Sequence, residues 1–276
     1  MPIALLKLLL PVEKIKNFIS KILILIANQW VRMNAINFSL FNPIKWETEG
    51  LELLNHNEWC LVISNHQSWA DILVLQTNLL NRIPYIKFFL KKELIWVPFM
   101  GLAWWALDFP FMERYSKSFL EKNPHLKGKD VESTKKACEK FKDSPITIMN
   151  FVEGTRFTKR KHRKQQSPFK NLLKPKAGGV AFVLTAMGEH LDCIINITIA
   201  YPDGVPNFWD FLCGRVSAIK VSAEKIAVTP AILGDYNNDP EFKERFQVWI
   251  NSLWEEKDIK LTRTLDNSNT DNQKSA

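Results

Sequence analysis

The sequence predicts a single α/β domain whose core is a mostly parallel sheet flanked by helices, preceded by an amphipathic N-terminal helix. Strand-like runs alternate with helical patterns along the chain, which is the arrangement that produces parallel sheets. With 276 residues, 46% of them hydrophobic, the chain can bury a large core, so disordered and disulfide-scaffold proteins are excluded. No Ser/Gly/Pro-rich linker divides it. We therefore expect a helical N-terminal segment (1–34), one domain (35–262) and a polar, disordered tail (263–276).

Apolar residues near the N-terminus recur at helical spacing. They fall on one face, opposite polar side chains: Ile15, Phe18, Ile19, Ile22, Ile26 and Trp30 against Asn17, Lys21 and Asn28. Packing of this stripe on the protein's own core is one interpretation. A membrane surface is the other, favoured by the apolar stretch Ile3–Leu10 and by cations at Lys7, Lys14, Lys16, Lys21 and Arg32. A membrane-spanning helix is not predicted, because the longest uncharged stretch, Leu94–Leu107, is shorter than the roughly 18 residues required.

The rest of the chain supplies the strands and helices of the predicted domain. Continuous apolar or β-branched runs predict strands at Trp59–Ser64, Ile146–Val152, Cys193–Ala200 and Val216–Ala223, the first three buried on both faces. Helical periodicity predicts helices at Ala70–Leu80, Gly128–Phe141 and Lys176–Met187. A last helix begins at Asp239-Pro240-Glu241 and carries the apolar stripe Phe242, Phe246, Trp249, Ile250, Leu253 and Trp254. Beyond about Thr262 the sequence is polar, which predicts disorder.

The cysteines indicate a reducing compartment. Cys60, Cys138, Cys193 and Cys213 are widely spaced, so the sequence contains no CxxC pair for zinc and suggests no disulfide framework. No cleavable signal sequence is apparent, because Lys7 interrupts the first apolar stretch and no small-residue cleavage site follows. We expect a cytoplasmic location for the domain.

The net charge of +8 comes from one segment. Residues 157–176 hold eight basic residues and no acid, so the rest of the chain is neutral overall: Lys159, Arg160, Lys161, Arg163, Lys164, Lys170, Lys174 and Lys176. A solvated loop explains such a run without any partner. The alternatives are anionic partners, namely membrane phospholipid, an acidic carrier protein, a phosphorylated substrate or nucleic acid. Nucleic acid is the weakest of these, because the run carries no RNA-binding signature.

A histidine and an aspartate follow the first buried strand, in Asn65-His66-Gln67-Ser68-Trp69-Ala70-Asp71. On one continuous helix, residues five apart lie about 140° from each other, so the two side chains meet only if His66 sits in the turn before the helix. Such turns are where open α/β sheets place their sites. An imidazole held by a carboxylate can take a proton from a hydroxyl. A capping or core histidine is the structural alternative.

A second polar turn follows the next buried strand, in Phe151-Val152-Glu153-Gly154-Thr155-Arg156. Gly154 permits a sharp turn. Arg156 presents a planar fork suited to phosphate, and Glu153 can accept hydrogen bonds from a hydroxyl. A surface ion pair would also explain this tetrapeptide. Two such turns on one edge of a parallel sheet favour a joint site for a proton acceptor and an anion receptor.

These two turns resemble the signature blocks of the glycerolipid acyltransferases, especially the 1-acylglycerol-3-phosphate acyltransferases. Asn65–Asp71 is similar to the Asn-His-x4-Asp block, and Glu153-Gly154-Thr155-Arg156 to the Glu-Gly-Thr-Arg block. Between them, Lys91-Lys92-Glu93-Leu94 leads through Pro98, Gly101 and Phe111 to Arg114, which resembles a further block. The resemblance covers about residues 50–230. Trp96–Ala103, Gly128–Thr134 and Phe151–Phe157 are also similar to a bacterial membrane branch of the family.

The resemblance implies acyl transfer from a thioester to the free glycerol hydroxyl of a lysophospholipid. His66 would act as general base and Asp71 would hold the imidazole, with Asn65 and Ser68 bracing the turn. Arg114, Glu153, Gly154, Thr155 and Arg156 would bind the acceptor. The donor would be acyl-CoA or an acyl carrier protein, and neither a metal nor a cofactor is implied. The uncharged Leu94–Leu107 stretch is the expected wall for an acyl chain, with packed core aromatics as its alternative.

The resemblance also implies a location and partners. An acceptor that resides in a bilayer places the protein at the cytoplasmic side of the bacterial inner membrane, in contact with membrane phospholipid and with segment 1–34 as the membrane-associating part. Two other functions remain open: a non-catalytic peripheral membrane protein, and an acyltransferase for another lysophospholipid head group. The sequence departs from the family at Ile195–Ile199, where many members have a proline.

Overall fold

The computed structural model describes residues 2–10, 12–42, 44–112, 132, 135, 138, 141 and 144–274, with the backbone alone over 268–274. Arg114 and most of the helix predicted over 128–141 lie outside the described residues. The described helices are α1 (Pro2–Leu9), α2 (Glu13–Phe41), α3 (Ala70–Leu79), α4 (Met100–Ala106), α5 (Lys159–Gln165), α6 (Ala177–Met187), α7 (Phe208–Leu212) and α8 (Pro240–Lys274). The described strands are β1 (Lys45–Glu49), β2 (Cys60–Ser64), β3 (Ile86–Phe88), β4 (Leu90–Lys91), β5 (Phe111–Met112), β6 (Thr147–Phe151), β7 (Cys193–Ala200) and β8 (Ala218–Ala227).

Six of these strands form one sheet in the order β1-β8-β7-β2-β6-β3. All neighbours pair in parallel except β7 and β8, which are antiparallel. The predicted fold class, a mostly parallel sheet flanked by helices, is therefore confirmed. The sequence patterns missed β1 and β3, because β1 reads Lys-Trp-Glu-Thr-Glu and β3 is three residues long. Neither strand is long and apolar enough to produce a strand signal.

Apolar side chains cover both faces of the sheet. One face packs under α6 and α8, with Leu61, Ile148, Ile194 and Trp254 among its buried residues. The other packs under α3, where Val62, Ile195 and Val74 are buried. All residues of β2 and β7 are buried, which explains why both strands are continuous hydrophobic runs in the sequence.

The register of the central strands sets the position of the two polar turns. Ser64, the last residue of β2, is paired with Phe151, the last residue of β6. On the other side of β2, Ser64 is paired with Ile197 of β7. The chain segments that follow β2 and β6 therefore leave the sheet side by side at its carboxyl edge. This brings the turn of His66 next to the turn of Glu153.

The N-terminal helices present much of their apolar surface to solvent. In α2, Ile19, Val31 and Phe38 are buried, whereas Phe18 and Trp30 are 64% and 56% exposed. Among the described residues, no helix is long and apolar enough to cross a membrane. Lys7, expected as a cationic flank, is instead buried: its Nζ donates to Ala106 O at 2.8 Å and lies 2.9 Å from Asp108. This partly buried ion pair attaches α1 to the end of α4.

The last helix is longer than predicted. α8 continues past Thr262 to Lys274, through the stretch where the polar composition predicted disorder. Contacts made by its side chains support the first part of the extension: Leu265 packs against the buried cluster under the sheet, and Asp266 Oδ1 lies 3.8 Å from Lys170 Nζ. Composition alone carries no signal for such long-range contacts.

Candidate active site

His66 lies in the turn between β2 and α3, and its ring contacts Asp71 in the first turn of α3. His66 Nδ1 and Asp71 Oδ2 are 2.8 Å apart. Because a carboxylate can only accept, Nδ1 carries the proton and Nε2 is the ring nitrogen that can take up another. The ring also stacks on Phe151, with centroids 3.9 Å apart and planes 13° from parallel. The imidazole is therefore held in one orientation and one tautomer.

Asp71 is fully buried and accepts several hydrogen bonds besides that of His66. The backbone N–H groups of Gln67 and Ser68 donate to Oδ2 at 2.6 and 2.9 Å. The hydroxyl of Tyr201 donates to Oδ1 at 2.6 Å. Burial, followed by the charge of Asp71, raises the pKa of Tyr201 well above its usual value, so the phenol stays protonated as a donor. These donors replace the water that a buried carboxylate would otherwise need.

Polar side chains on either side of His66 brace the turn. Asn65 Nδ2 donates to Ile199 O and its Oδ1 accepts from Ile199 N, both at 2.9 Å. Ser68 Oγ donates to Pro206 O at 2.6 Å and accepts from Ala70 N at 3.1 Å. The turn is thus tied to the end of β7 and to the chain that follows it.

Glu153 connects the second turn to the first from beneath. It is fully buried, its Oε1 accepts from His66 N, and its Oε2 accepts from Leu173 N, both at 3.0 Å. Burial raises the pKa of Glu153 to about 7, while the two backbone donors and the charge of Lys257 act in the opposite direction. The glutamate expected to contact the acceptor is therefore occupied by the protein backbone, and its immediate effect is to fix the position of His66.

Gly154 makes the turn that follows. Its φ of +67° lies in the left-handed region, and a Cβ there would come within 3.1 Å of the Lys176 side chain. The turn is closed by Gly154 N, which donates to Phe151 O at 2.8 Å. Glycine adopts this backbone conformation without strain, and the resulting turn places Arg156 at the cavity.

Arg156 lies over the Trp69 ring, with its guanidinium carbon 4.5 Å from the ring centroid. Stacking of this kind fixes the plane of the guanidinium and leaves its edge for an anion. Thr155 Oγ1 accepts from Lys161 Nζ at 2.7 Å, and Arg156 O accepts from the same ammonium at 3.0 Å. The basic segment 157–176, for which the sequence leaves a solvated loop and an anion-binding run open, contains helix α5 and contacts the Glu153–Arg156 turn directly.

A cavity of about 450 Å³ opens beside these groups. His66, Gly154, Thr155 and Arg156 line its polar side. Its other walls are mainly apolar: Phe88, Phe89, Met149, Phe151, Phe182 and Val183. The expected acyl wall, Leu94–Leu107, does not line it, and Trp96 in that stretch is 84% exposed. Contact of this stretch with an acyl chain stays a prediction.

Several residues of this site carried no signal in the sequence. Tyr201, Lys257 and Phe182 come from separate parts of the chain and enter the site only through the packing of the sheet with its helices. For Trp69 a signal existed, since it lies inside the Asn65–Asp71 block.

A group with metal-binding side chains lies at the opposite edge of the sheet. Cys60 and Cys193 begin neighbouring strands, and their sulfur atoms are 3.4 Å apart, close to the Glu58 carboxylate. Lys225 Nζ already lies 2.7 Å from that carboxylate. Near His66, at the carboxyl edge of the sheet, the described residues contain no comparable group of metal-binding side chains.

The arrangement suits proton abstraction beside an anion. An imidazole backed by a buried carboxylate faces a cavity that is lined on one side by a guanidinium and other polar groups and on the other by aromatic and aliphatic side chains. It can therefore act on a hydroxyl that belongs to a molecule with both an anionic group and a hydrocarbon chain.

Comparisons with known proteins agree with this chemistry. The chain is 23% identical over 240 residues to mouse 1-acyl-sn-glycerol-3-phosphate acyltransferase epsilon, covering 78% of this chain and 60% of the relative. It is 25% identical over 232 residues to 1-acyl-sn-glycerol-3-phosphate acyltransferase 3 of Arabidopsis thaliana, covering 79% of this chain and 56% of the relative. It is 28% identical over 224 residues to chicken lysocardiolipin acyltransferase 1, covering 75% of this chain and 54% of the relative. The matches thus span little more than half the length of these relatives.

Among solved structures, the 1-acyl-sn-glycerophosphate acyltransferase PlsC from Thermotoga maritima aligns over 92% of this chain and 87% of its own, with a TM-score of 0.47 and 16% identity. The Acyltransferase family model matches residues 45–200, from the first strand of the sheet to the last residue of β7 and across both polar turns. The protein is a member of the acyltransferase family.

Proposed function

We propose that the protein transfers a fatty acyl group from an acyl thioester to the free glycerol hydroxyl of a lysophospholipid, with 1-acylglycerol 3-phosphate as acceptor and phosphatidic acid as product. The observation that carries this proposal is the His66–Asp71 pair beside a cavity that has Arg156 on its polar side and aromatic and aliphatic side chains on the other. The names of the relatives support the same reaction class.

The proposed reaction follows from the positions of these groups. His66 Nε2 takes the proton of the acceptor hydroxyl, whose oxygen forms a bond to the thioester carbonyl carbon. The C–S bond then breaks, and the thiolate of coenzyme A or of an acyl carrier protein leaves with the proton from the imidazolium. Asp71 stabilises that imidazolium. The reaction balances without a metal, a cofactor or a covalent acyl-enzyme, and general-base assistance contributes about 10²–10⁴-fold to its rate.

Arg156 is assigned to the acceptor phosphate, since its stacked guanidinium presents a planar edge at the cavity. Gly154 and Thr155 shape the same rim. Arg114 keeps its proposed role on the resemblance alone, because it lies outside the described residues. The apolar walls, including Phe89 and Phe182, are assigned to an acyl chain.

We propose further that the protein works at a membrane, on the cytoplasmic side of the bacterial inner membrane. Exposed apolar side chains on α1 and α2 support this attachment: Leu9 is 80% exposed and Phe41 76%. Trp96 and Phe99, beside α1, are 84% and 76% exposed. Apolar side chains exposed in such number are typical of a surface that lies in a lipid interface.

The test is an acyl-transfer assay with the full-length protein in phospholipid vesicles. A panel of lysophospholipids is supplied with acyl-CoA or acyl carrier protein, and products are separated by chromatography. We expect phosphatidic acid from 1-acylglycerol 3-phosphate, and its loss in His66→Ala with folding retained. Lysocardiolipin acyltransferases among the relatives favour a second acceptor, so lysocardiolipin belongs in the panel. Vesicle binding without product formation would instead indicate a non-catalytic membrane protein.

A further inference from the structure

Two cysteines lie side by side where the central strands begin. Cys60, the first residue of β2, is paired in parallel register with Cys193, the first residue of β7. Paired residues of parallel neighbours point to the same face of a sheet, on strands about 4.8 Å apart. Both thiols are free and buried, and their sulfur atoms are 3.4 Å apart. Two soft donor atoms thus meet at the amino edge of the sheet, opposite the edge that holds His66.

A carboxylate completes the group. Glu58, two residues before Cys60, directs its Oε2 at Cys193 Sγ, 3.7 Å away. The three candidate ligand atoms, one from each side chain, all lie within 4.8 Å of one another. The other carboxylate oxygen, Oε1, accepts from Lys225 Nζ at 2.7 Å. The ammonium therefore holds the carboxylate in place and leaves one oxygen facing the sulfur pair.

These distances fit a tetrahedral ion that prefers sulfur ligands. Zinc forms bonds of about 2.3 Å to thiolate sulfur and about 2.0 Å to carboxylate oxygen. At tetrahedral angles, such bonds place two sulfur atoms about 3.8 Å apart and a sulfur about 3.5 Å from an oxygen. The corresponding separations here are 3.4 Å between the two sulfur atoms and 3.7 Å between Cys193 Sγ and Glu58 Oε2. Only small side-chain movements separate this arrangement from a zinc site.

The backbone around the group is fixed by hydrogen bonds of its own. Trp59 N donates to Asp192 Oδ2 at 2.8 Å, and Asp192 N donates to Trp59 O at 2.9 Å. The residues that precede the two cysteines are thus bound to each other. Ligands that are held on paired strands lose little conformational entropy when they bind an ion, so the group is preorganised.

The charges of the group also balance when a divalent ion is bound. Ligation requires both thiols to lose their protons, which pass to the solvent. Two thiolates, one carboxylate and an ion of charge +2 leave a net charge of −1, which the ammonium of Lys225 offsets. The side chains of Glu58 and Lys225 are 22% and 33% exposed, so an ion can reach the buried sulfur atoms from their side.

We propose that Glu58, Cys60 and Cys193 form a binding site for one thiophilic metal ion, Zn²⁺ being the ion that this donor set and geometry match. The bound ion joins the start of β2 to the start of β7, and water completes its coordination on the side of Glu58. Its effect is structural, because the site lies at the edge of the sheet opposite His66. The inference therefore does not rest on the proposed function.

The test is metal binding by the purified full-length protein, with any affinity tag removed and a phosphine reductant present. Co²⁺ is the spectroscopic probe, because thiolate-to-cobalt charge-transfer absorption reports sulfur ligation. We expect this absorption to saturate at one Co²⁺ per chain. Zn²⁺ should displace the cobalt, whereas Mg²⁺, which prefers oxygen ligands, should not.

Variants of the ligands locate the ion. Cys193→Ser removes one soft ligand, so it should abolish the absorption and lower the affinity for Zn²⁺ by more than about 100-fold. Cys193→Ala is the second variant, because a buried serine hydroxyl can lower stability by itself. Glu58→Gln keeps both thiolates, so the absorption should remain while the affinity falls about tenfold. Cys213→Ser, at an exposed free cysteine, is the control and should change neither quantity.

Thermal unfolding gives a second readout that does not depend on spectroscopy. Zn²⁺ that binds only the folded site should raise the melting temperature by about 5 °C at 100 times its dissociation constant, and should have no effect on Cys193→Ala. A folded wild-type protein without the charge-transfer absorption would refute the proposal. So would absorption or a rise in melting temperature that persists in Cys193→Ala, because the ion would then bind elsewhere. Recovery of Cys60 and Cys193 as a disulfide under these reducing conditions would also overturn it, since no thiolates would remain to bind the ion.

Discussion

Replacement of Asp71 by Asn removes a charge beside His66 and changes little else. The amide oxygen can take the place of Oδ2, where His66 Nδ1 and the N–H groups of Gln67 and Ser68 now donate. The amide NH₂ then lies where Tyr201 OH donates to Oδ1, and the hydroxyl can rotate to accept from it. The variant should therefore fold, with the imidazole in almost the same place.

The expected loss of rate follows from the lost attraction between imidazolium and carboxylate. With Nδ1 and Oδ2 2.8 Å apart, the two charge centres are separated by about 4 Å. That attraction is worth about 4 kcal/mol at an effective dielectric constant of about 20. Since each 1.36 kcal/mol is tenfold in rate, kcat should fall by about 10³-fold.

The assay is the initial rate of phosphatidic acid formation at saturating acyl donor and 1-acylglycerol 3-phosphate, at pH 8. Circular dichroism and the urea midpoint report folding. Asp210→Asn, which changes an aspartate paired with Arg215 at the surface, is the matched control and should keep kcat within twofold. A folded Asp71→Asn enzyme with kcat within threefold of the wild type would refute the role assigned to Asp71.

The other predictions concern the acceptor, the membrane and pH. Arg156→Lys keeps the charge but loses the planar fork and its stacking on Trp69. In steady-state kinetics the KM for lysophospholipid should therefore rise about tenfold, with little change in the KM for the acyl donor. A change confined to the KM for the donor would place Arg156 on the thioester side of the site. Phe18→Ser combined with Trp30→Ser removes about 3 kcal/mol of apolar burial in the membrane. The affinity for vesicles, measured by cosedimentation, should therefore fall about 100-fold. High salt screens the basic segment 157–176 and should lower the affinity further. Unchanged sedimentation would place the attachment elsewhere, and Val248→Ser, at an exposed apolar position of α8, is the control. The pKa of Glu153 is about 7 in the folded protein against a usual 4.5. Between these pH values the folded protein keeps a proton that the unfolded chain releases. The contribution of Glu153 to the free energy of unfolding should therefore be present below pH 4.5 and lost as pH rises to 7. In urea titrations, the difference in stability between wild type and Glu153→Gln should decrease across that window, and a pH-independent difference would contradict the burial argument.

Local sequence was sufficient for the parts of the fold whose signal is local. β2, β6 and β7 lie at or within one or two residues of their predicted bounds, because strands buried on both faces are continuous apolar runs. The spacing of His66 and Asp71 required a turn before the helix, and the structure has α3 beginning at Ala70. Both turns follow parallel strands, which is why their meeting at one edge of the sheet was predictable.

The pairing direction of β8 and the composition of the cavity were decided only by tertiary structure. β8 pairs antiparallel with β7, a choice that depends on the path of the chain between them rather than on either strand's residues. Leu94–Leu107 and the Phe88–Phe89 pair are both apolar, yet only the latter faces His66.

The sequence by itself indicated which residues are candidates for acid–base chemistry, because that chemistry is confined to a few side-chain types at fixed spacing around His66. The tertiary structure decided what holds them. Tyr201, directly after β7, donates to Asp71 from 130 residues away, and Lys257 of α8 donates to Ile197 O of β7. Nothing local marks a tyrosine or a lysine as a buried partner. These hydrogen bonds exist only when the distant segments are packed together, and burial is what makes them necessary.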